Sequence, residues 1–414
     1  MIKSLVAVCK AIVLLSLLLF SIVNVAVADG LEAEVPILVG GQPLDVERQG
    51  DPSPAVFDYD GDGKKDLLIT HSHRSGSNEF RRIQLYRNVG TNAAPRFEAM
   101  RYETDATPSG YLPAASSFAS PQFVDIDRDG HRDLLTTGWP FELHIHRGLA
   151  NGKLGSQEFL LDRSRMGVDG RHVGLSAADY DGDGDIDLMI GGGLQDENLG
   201  HVCLFRNEST GKAFKFAGPE PIPAGDKPIV APDYEAAPVI ADWNNDGKLD
   251  LVLGCGDGSV RWYANVGTRQ SPTFGEIQIL VPTPSGLSQR GKEAKPCVVD
   301  WNEDGRLDLI VGDHGVQFDK LLTMEELQWQ QQARDSQAEI FTEWAGVLSL
   351  YRDLIVKSKA SADDELLFKA EVNQLRGKLV ELNAKRDAQF QQEQMLQPGR
   401  QYHGRVWLFL RKAE

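Results

Sequence analysis

Asp58-Tyr59-Asp60-Gly61-Asp62-Gly63-Lys64-Lys65-Asp66 decides the fold, because its pattern of acids returns four more times. The copies are Asp125-Ile126-Asp127-Arg128-Asp129-Gly130-His131-Arg132-Asp133, Asp179-Tyr180-Asp181-Gly182-Asp183-Gly184-Asp185-Ile186-Asp187, Asp242-Trp243-Asn244-Asn245-Asp246-Gly247-Lys248-Leu249-Asp250 and Asp300-Trp301-Asn302-Glu303-Asp304-Gly305-Arg306-Leu307-Asp308. Their first residues are separated by 67, 54, 63 and 58 positions. Asp and Gly favour turns on their own, but five registrations of one spacing are more than turn composition. A period of this length marks one supersecondary unit repeated several times.

Short apolar runs flank each loop. Ala55-Val56-Phe57, Phe123-Val124, Pro238-Val239-Ile240 and Val298-Val299 precede, and Leu67-Leu68-Ile69, Leu188-Met189-Ile190, Leu251-Val252-Leu253 and Leu309-Ile310-Val311 follow. Runs of this length are strands rather than helices. A third run follows in each unit (Ile83 to Tyr86, Leu143 to Ile145, Val202 to Phe205, Val260 to Tyr263), and a fourth begins near Phe97, Phe159, Phe214 or Phe274. Four antiparallel strands repeated radially make an all-β propeller. No gap between loops is long enough for another unit, so five blades are expected.

Loops of this pattern followed by Asp-Leu resemble FG-GAP or VCBS repeats, the calcium-binding blades of integrin alpha-chain propellers. The resemblance covers Val35 to about Val316 and the last strand, although integrin propellers have seven blades. It implies calcium loops between the first two strands on a lower face. It also implies an upper, ligand-binding face made by the second-to-third and fourth-to-first connections.

The fifth unit holds two strands before Gly315 and its third much later, at 404–410. Val35 to Val39, upstream of the first unit, has the phase of the missing fourth strand. N-terminal and C-terminal strands sharing one blade would remove the open edge. The expected propeller therefore spans 29–319 and 400–414.

The loop chemistry points to a hard cation. Ca²⁺ takes six to eight oxygens at about 2.3 to 2.6 Å, and side chains at positions 1, 3, 5 and 9, with the backbone carbonyl at 7 (Lys64, His131, Asp185, Lys248, Arg306), can converge on one ion. Of the twenty side chains so placed, eighteen are Asp, and Asn244 and Asn302 are amides. Left without cations, so many carboxylates repel. Up to five Ca²⁺ ions are expected, as structural staples rather than catalysts. Mg²⁺ fits less well because it keeps its waters and demands octahedral geometry.

The 414 residues carry 43 Lys and Arg against 60 Asp and Glu, a formal charge of −17. Nucleic acid and anionic membrane surfaces reward clustered bases, so this balance argues against both. Residues 1–28 read as a secretory signal: Lys3 and Lys10, an apolar run over 11–23, and the small-x-small site Ala26-Val27-Ala28. Cleavage would leave no membrane span and place the protein outside the cell, in the periplasm or in the cell envelope. Three cysteines would remain, Cys203, Cys255 and Cys297, each in an apolar run that favours a buried thiol. A Cys255–Cys297 pair is possible, but nothing in the sequence requires it.

Between the second and third strands of the last unit, 320–399 changes character, being rich in Gln, Glu, Leu and Ala. Thr323 with Glu326 is a capping pattern, and Ile340, Trp344, Val347, Tyr351 and Leu354 recur at helical spacing. Phe368, Val372, Leu375, Leu379 and Leu382 make a second stripe after Ser361, ended by Pro398-Gly399. An inserted antiparallel helical hairpin is expected, its stripes facing each other, with a lid or a partner-docking arm as the functional alternative.

The expected function is recognition of a protein or glycan on the upper face, without catalysis. Candidate upper-face residues are His71, His73, Trp139, Asp196, Glu197, Asn198, Asp257, Asp313 and His314, each just after a second strand. His144 and His146 share one face of a third strand, and an exposed pair is expected there rather than a metal site. The alternative is a carbohydrate-active enzyme, a polysaccharide lyase or hydrolase, which needs paired carboxylates or a base beside a charge-neutralising group. No motif singles out such a set. A scaffold whose hairpin joins a larger assembly is a third class.

Overall fold

The computed structural model describes residues 30–412, apart from short segments at 47–51, 76–77, 100–101, 105–106, 111, 114–120, 139–141, 151–153, 162–173, 194–198, 210–213 and 285–289. Over 319–399 it describes twelve scattered residues. The signal expected over 1–28 lies outside the described residues. The chain divides into two compact units, one formed by 1–315 with 402–414 and the other by 316–401.

The first unit is a propeller of five antiparallel blades. Blade one is Ser53–Phe57, Asp66–Ser75, Asn78–Asn88 and Phe97–Ala99, and blade two is Gln122–Val124, Asp133–Gly138, Glu142–Gly148 and Leu154–Leu161. Blade three is Gly174–Ala178, Asp187–Gly193, Leu199–Asn207 and Phe216–Pro221. Blade four is Ala236–Ala241, Asp250–Cys255, Val260–Asn265 and Phe274–Val281. Blade five combines Lys292–Val299, Asp308–Phe318 and Arg400–Phe409 with Val35–Pro36 as its outer strand. Val35 pairs with Leu408 and Pro36 with Trp407, so the N-terminal segment supplies the strand that the fifth unit lacks.

The connection that follows repeats inside the molecule. After Val35–Pro36 the chain makes a small hairpin, Leu38–Val39 with Gln42–Pro43, which joins blade one in parallel through Val39 and Phe97. After blade three's outer strand, Pro223–Ala224 and Lys227–Pro228 do the same to blade four through Ala224 and Phe274. The N-terminus thus enters blade one as blade three enters blade four.

Apolar second strands make the core: Leu67, Leu68, Ile69, Leu188, Ile190, Leu251, Val252, Leu253, Leu309 and Ile310 are completely buried. Each of these strands packs a neighbouring blade on either face, which is why they read as unbroken apolar runs. Between blades one and two the rings of Phe57 and Phe123 stack at 4.0 Å. In blades three, four and five the fifth residue of the second strand is glycine. A Cβ on Gly191, Gly254 or Gly312 would run into the carbonyl of Ala236, Ala294 or Pro52, in or just before the next blade's inner strand. The last of these contacts joins blade five to blade one and closes the ring.

His144 and His146 are not the exposed pair expected from sequence. Both are buried, at 8% and 3% exposure. They sit opposite Thr136 and Leu134, whose buried side chains put this face of the strand inside the propeller. His146 Nδ1 bonds the Gly155 carbonyl at 3.2 Å, and burial pushes the imidazole below its usual pKa. The cysteines are free thiols, Cys203 and Cys255 buried and Cys297 half-buried. Burial pushes Cys203 up to about 11 and Cys255 up to about 12.

Over 319–399 the twelve described residues are helical, among them Glu343, Val347, Leu375, Lys378, Glu381, Leu382 and Lys385. Val347 and Leu382, one from each expected stripe, are buried, and Lys378 pairs with Glu343 at 3.0 Å. No helix is delimited there among the described residues, and the hairpin expected over 320–399 lies as a whole outside them. No described helix is long and apolar enough to cross a membrane.

Candidate metal centres

Each acidic loop joins the inner strand of a blade to its second strand, so all five emerge at the same end of the propeller. The backbone is bent the same way in every copy. Position 6 is left-handed at Gly63, Gly130, Gly184, Gly247 and Gly305, with φ between 81° and 92°. Position 4 is left-handed too, at Gly61, Arg128, Gly182, Asn245 and Glu303. Two of the latter, Arg128 and Glu303, carry side chains that rarely adopt this region, so the conformation is imposed by the loop rather than chosen by the residue.

The carboxylates impose it. Asp58 Oδ1 accepts the N–H groups of Gly61 (2.8 Å) and Asp62 (3.1 Å), and its Oδ2 accepts that of Gly63 (2.9 Å). Asp125, Asp242 and Asp300 repeat the bonds to positions 5 and 6. At position 5, Asp62, Asp129, Asp183, Asp246 and Asp304 each take the N–H of position 7 at 2.7 to 3.0 Å.

Position 9 is the first residue of the second strand, and Asp66, Asp133, Asp187, Asp250 and Asp308 are all buried. Oδ1 in each accepts a backbone N–H from the end of the third strand (Asn88, Gly148, Asn207 or Asn265) or, in blade five, from Arg411 just beyond it, at 2.7 to 2.8 Å. Oδ2 takes the N–H of position 2 in four loops (Tyr59, Ile126, Tyr180, Trp301) and the Trp262 indole N–H in the fourth. These aspartates brace the loop against the third strand, and each oxygen keeps a second lone pair. Burial pushes Asp66 and Asp187 up to about 6, and Asp133, Asp250 and Asp308 also above the ordinary range.

Side-chain oxygens of Asp58, Asp60 and Asp62 lie within 4.8 Å of one another, as do those of Asp125, Asp127 and Asp133 and those of Asp179, Asp181 and Asp183. In loops four and five Asn244 and Asn302 hold position 3, each accepting the N–H of position 5. The donor set is all oxygen, as a hard divalent cation requires. In the third loop, Oδ1 of Asp179 and Oδ1 of Asp181 are buried with no hydrogen-bond partner. Buried charged oxygens left bare are costly, and a cation between them removes that cost. The residues present fit a calcium ion.

A family model for the FG-GAP-like repeat matches 58–136, 179–253 and 242–311, just over half of the chain and all five loops. The chain belongs to the FG-GAP-like repeat family. No curated protein matches the sequence. Among solved structures, a crystal structure of BBS1N in complex with ARL6DN, soaked with lead, is similar at 12% identity, covering 69% of this chain and 81% of that one with a TM-score of 0.29. At that score the likeness carries no argument. At a coarse level, FG-GAP-like blades in a closed propeller support a recognition module rather than an enzyme.

The loops of neighbouring FG-GAP-like blades are also tied to one another. Arg128 pairs with Asp185, and Arg269 with Asp179 at 3.1 Å. Asn92 donates to Glu303 (2.7 Å), and the Arg411 guanidinium lies over Trp243 at 4.5 Å while donating to its carbonyl.

At the opposite end, Asp313 is buried and accepts the Gly291 N–H, and Asp257 binds Ser259 and Thr283. His314 lies 3.8 Å from Glu293. His71 and His73 lie on the second strand of blade one, whereas Trp139, Asp196, Glu197 and Asn198 fall outside the described residues. Sequence reading missed Lys295 and Glu235, which approach to 3.5 Å across blades four and five, and Lys292 with Asp233 at 3.1 Å. Asp233, Tyr234 and Glu293 are left-handed here, and only their place between two blades, invisible in the sequence, brings them together.

Proposed function

We propose that this protein is an exported, calcium-stabilised propeller that binds a protein or glycan on its upper face and catalyses nothing. The observation that carries the reading is the loop geometry: five copies, one backbone conformation, one oxygen donor set, at one end of the ring. Positions 1, 3, 5 and 9 hold the ion in each loop, with the position 7 carbonyl. The ion supplies positive charge that offsets the mutual repulsion of the loop carboxylates, and it adds to the hydrogen bonds that already shape the turn.

Export rests on the pattern of residues 1–28, and a helical hairpin over 320–399, its apolar stripes facing each other, could in addition serve as a lid or a partner-docking arm. The upper mouth supports ligand binding through its mixed charges and left-handed backbone at Asp233, Tyr234 and Glu293, since such conformations collect at binding sites.

Calorimetric titration of Ca²⁺ into chelated protein, followed in parallel by the melting temperature, tests the reading. Uptake near five ions with a rise in melting temperature is expected, because an ion bound only by the folded state stabilises it. No uptake and an unchanged melt would reduce the loops to Asp-rich turns.

A further inference from the structure

In blades one to four the third strand ends on the residue whose N–H binds Oδ1 of the position 9 aspartate, and in blade five that residue is Arg411, two beyond the strand's last residue; the shared bond fixes equivalent positions around the ring. The residue just before it is Arg87, Arg147 or Arg206 in blades one to three, but Ala264 and Leu410 in blades four and five. Position 3 of the loop changes with it: Asp60, Asp127 and Asp181 in the first three, Asn244 and Asn302 in the last two. Arginine stands where position 3 is acidic, and an apolar residue stands where it is an amide.

The contacts explain the correspondence. Arg87 Nε lies 2.7 Å from Asp60 Oδ2, and Arg147 Nη1 and Arg206 Nη1 bond Oδ2 of Asp127 and Asp181. Each guanidinium thus takes Oδ2 and leaves Oδ1 to the loop, and Arg87 Nη2 also reaches Asp62 Oδ2 at position 5, at 3.3 Å. In blades two and three the arginine is held from behind by an outer-strand acid, Glu158 at 3.1 Å and Glu220 at 3.4 Å. In blades four and five the outer atom is an amide nitrogen, and Asn244 Nδ2 and Asn302 Nδ2 donate to Oδ2 of Asp246 and Asp304 at 3.2 and 3.1 Å. Position 3 therefore presents one oxygen with no net charge in all five loops, as a cancelled carboxylate or as an amide.

We propose that Arg87, Arg147 and Arg206 set the charge at position 3 of the cation loops, so that every loop offers an ion an uncharged oxygen there, however its other carboxylates are paired. They are positioning residues, acting through the position 3 side chain. The proposal rests on the calcium reading. Carboxylate count tunes calcium affinity, so cancelling the position 3 charge in blades one to three brings those sites toward the affinity of the Asn-bearing loops.

Blade one gives the clean test, because Asp60→Asn with Arg87→Ala reproduces loop four: Asp, Asn, Asp and Asp at positions 1, 3, 5 and 9, Lys at 7, and Ala at the end of the third strand. The full chain and the three variants are melted in chelator and in Ca²⁺, and titrated with Ca²⁺ by calorimetry. Asp60→Asn alone is expected to weaken one of the five sites about tenfold, one charge at a half-exposed site. Arg87→Ala alone is expected to lower the melting temperature in chelator and to recover most of the loss in Ca²⁺, where the ion replaces the missing positive charge. The double variant is expected to match wild type in both.

Equal losses for Arg87→Ala with and without Ca²⁺, or a double variant that sums the two single losses, would overturn the proposal and leave the arginines as surface ion pairs. A wild-type protein with no Ca²⁺ response would overturn the calcium reading and the proposal with it. A Ca²⁺ response with an additive cycle overturns the proposal alone.

Discussion

Asp313 shows how a single carboxylate makes the stability of this propeller depend on pH. It is buried at the upper end of blade five's second strand. Burial pushes its pKa up to about 6, against the Gly291 N–H and the charge of Arg290, which pull it down. In the unfolded chain the group titrates near about 3.9. Between these two values the folded state binds more protons, so this contribution is whole below about pH 4 and is lost as the pH rises through 6. Its size is about 3 kcal/mol. Asp313→Asn keeps an oxygen for Gly291 and removes the titration. Urea melts in chelator at pH 4 and pH 7 are expected to show the variant gaining on wild type by that amount, while the slopes of Asp66 and Asp187, common to both proteins, cancel. A gap that does not move with pH would mean that Asp313 titrates as a solvated carboxylate. The loop residues were legible in the sequence because their spacing is local and repeated. Asp313 was legible only by position, since burial is set by blade packing, and Arg87, Arg147 and Arg206 were missed because strand register alone aims them at position 3.

At the scale of the element, blades meet through a glycine and a proline. Gly254 lies within a run of fully buried residues in blade four's second strand, and Pro296 of the next inner strand sits where its Cβ would be. Gly191 faces Pro238 and Gly312 faces Pro54 in the same way, whereas blades one and two carry Thr70 and Thr137 at the corresponding position. The added methyl of Gly254→Ala meets backbone rather than a side-chain tip, so neither partner can swing aside. Overpacking of this kind costs about 1–3 kcal/mol, and the backbone partner places this variant at the upper end. Thermal or urea unfolding checks it. A loss below about 0.5 kcal/mol, the size of an ordinary surface substitution, would mean that the blades slide apart freely. The strands themselves were legible as apolar runs, but the docking was not, because glycine in a strand pattern signals close approach without naming what approaches. The His144 and His146 error has the same origin: alternation placed them on one face, and only blade packing showed that this face is covered.

At the scale of the whole molecule, the count of five followed from loop spacing, and closure followed from a missing strand at one end and a spare one at the other. The segment 30–46 does more than complete a sheet. Ile37, Leu44 and Val46 are buried among Leu67, Ile69, Phe97 and Trp301 of blades one and five. Asp45 pairs with His403 on blade five's third strand, and Lys412 donates to the Gly30 carbonyl. A chain lacking 30–46 would leave the strand 400–409 with an unpaired edge next to exposed core, the arrangement that invites association between copies. That variant is expected to melt lower than the full chain and to form dimers or larger species by size-exclusion chromatography with light scattering. A peptide of residues 30–46 added in trans is expected to reverse that association and raise the melting temperature, because it replaces a strand the remaining sheet already fits. A truncated chain that stays monomeric and melts with wild type would show instead that the ring is held by blade-to-blade packing such as Gly312 on Pro52, with the shared blade adding nothing to closure.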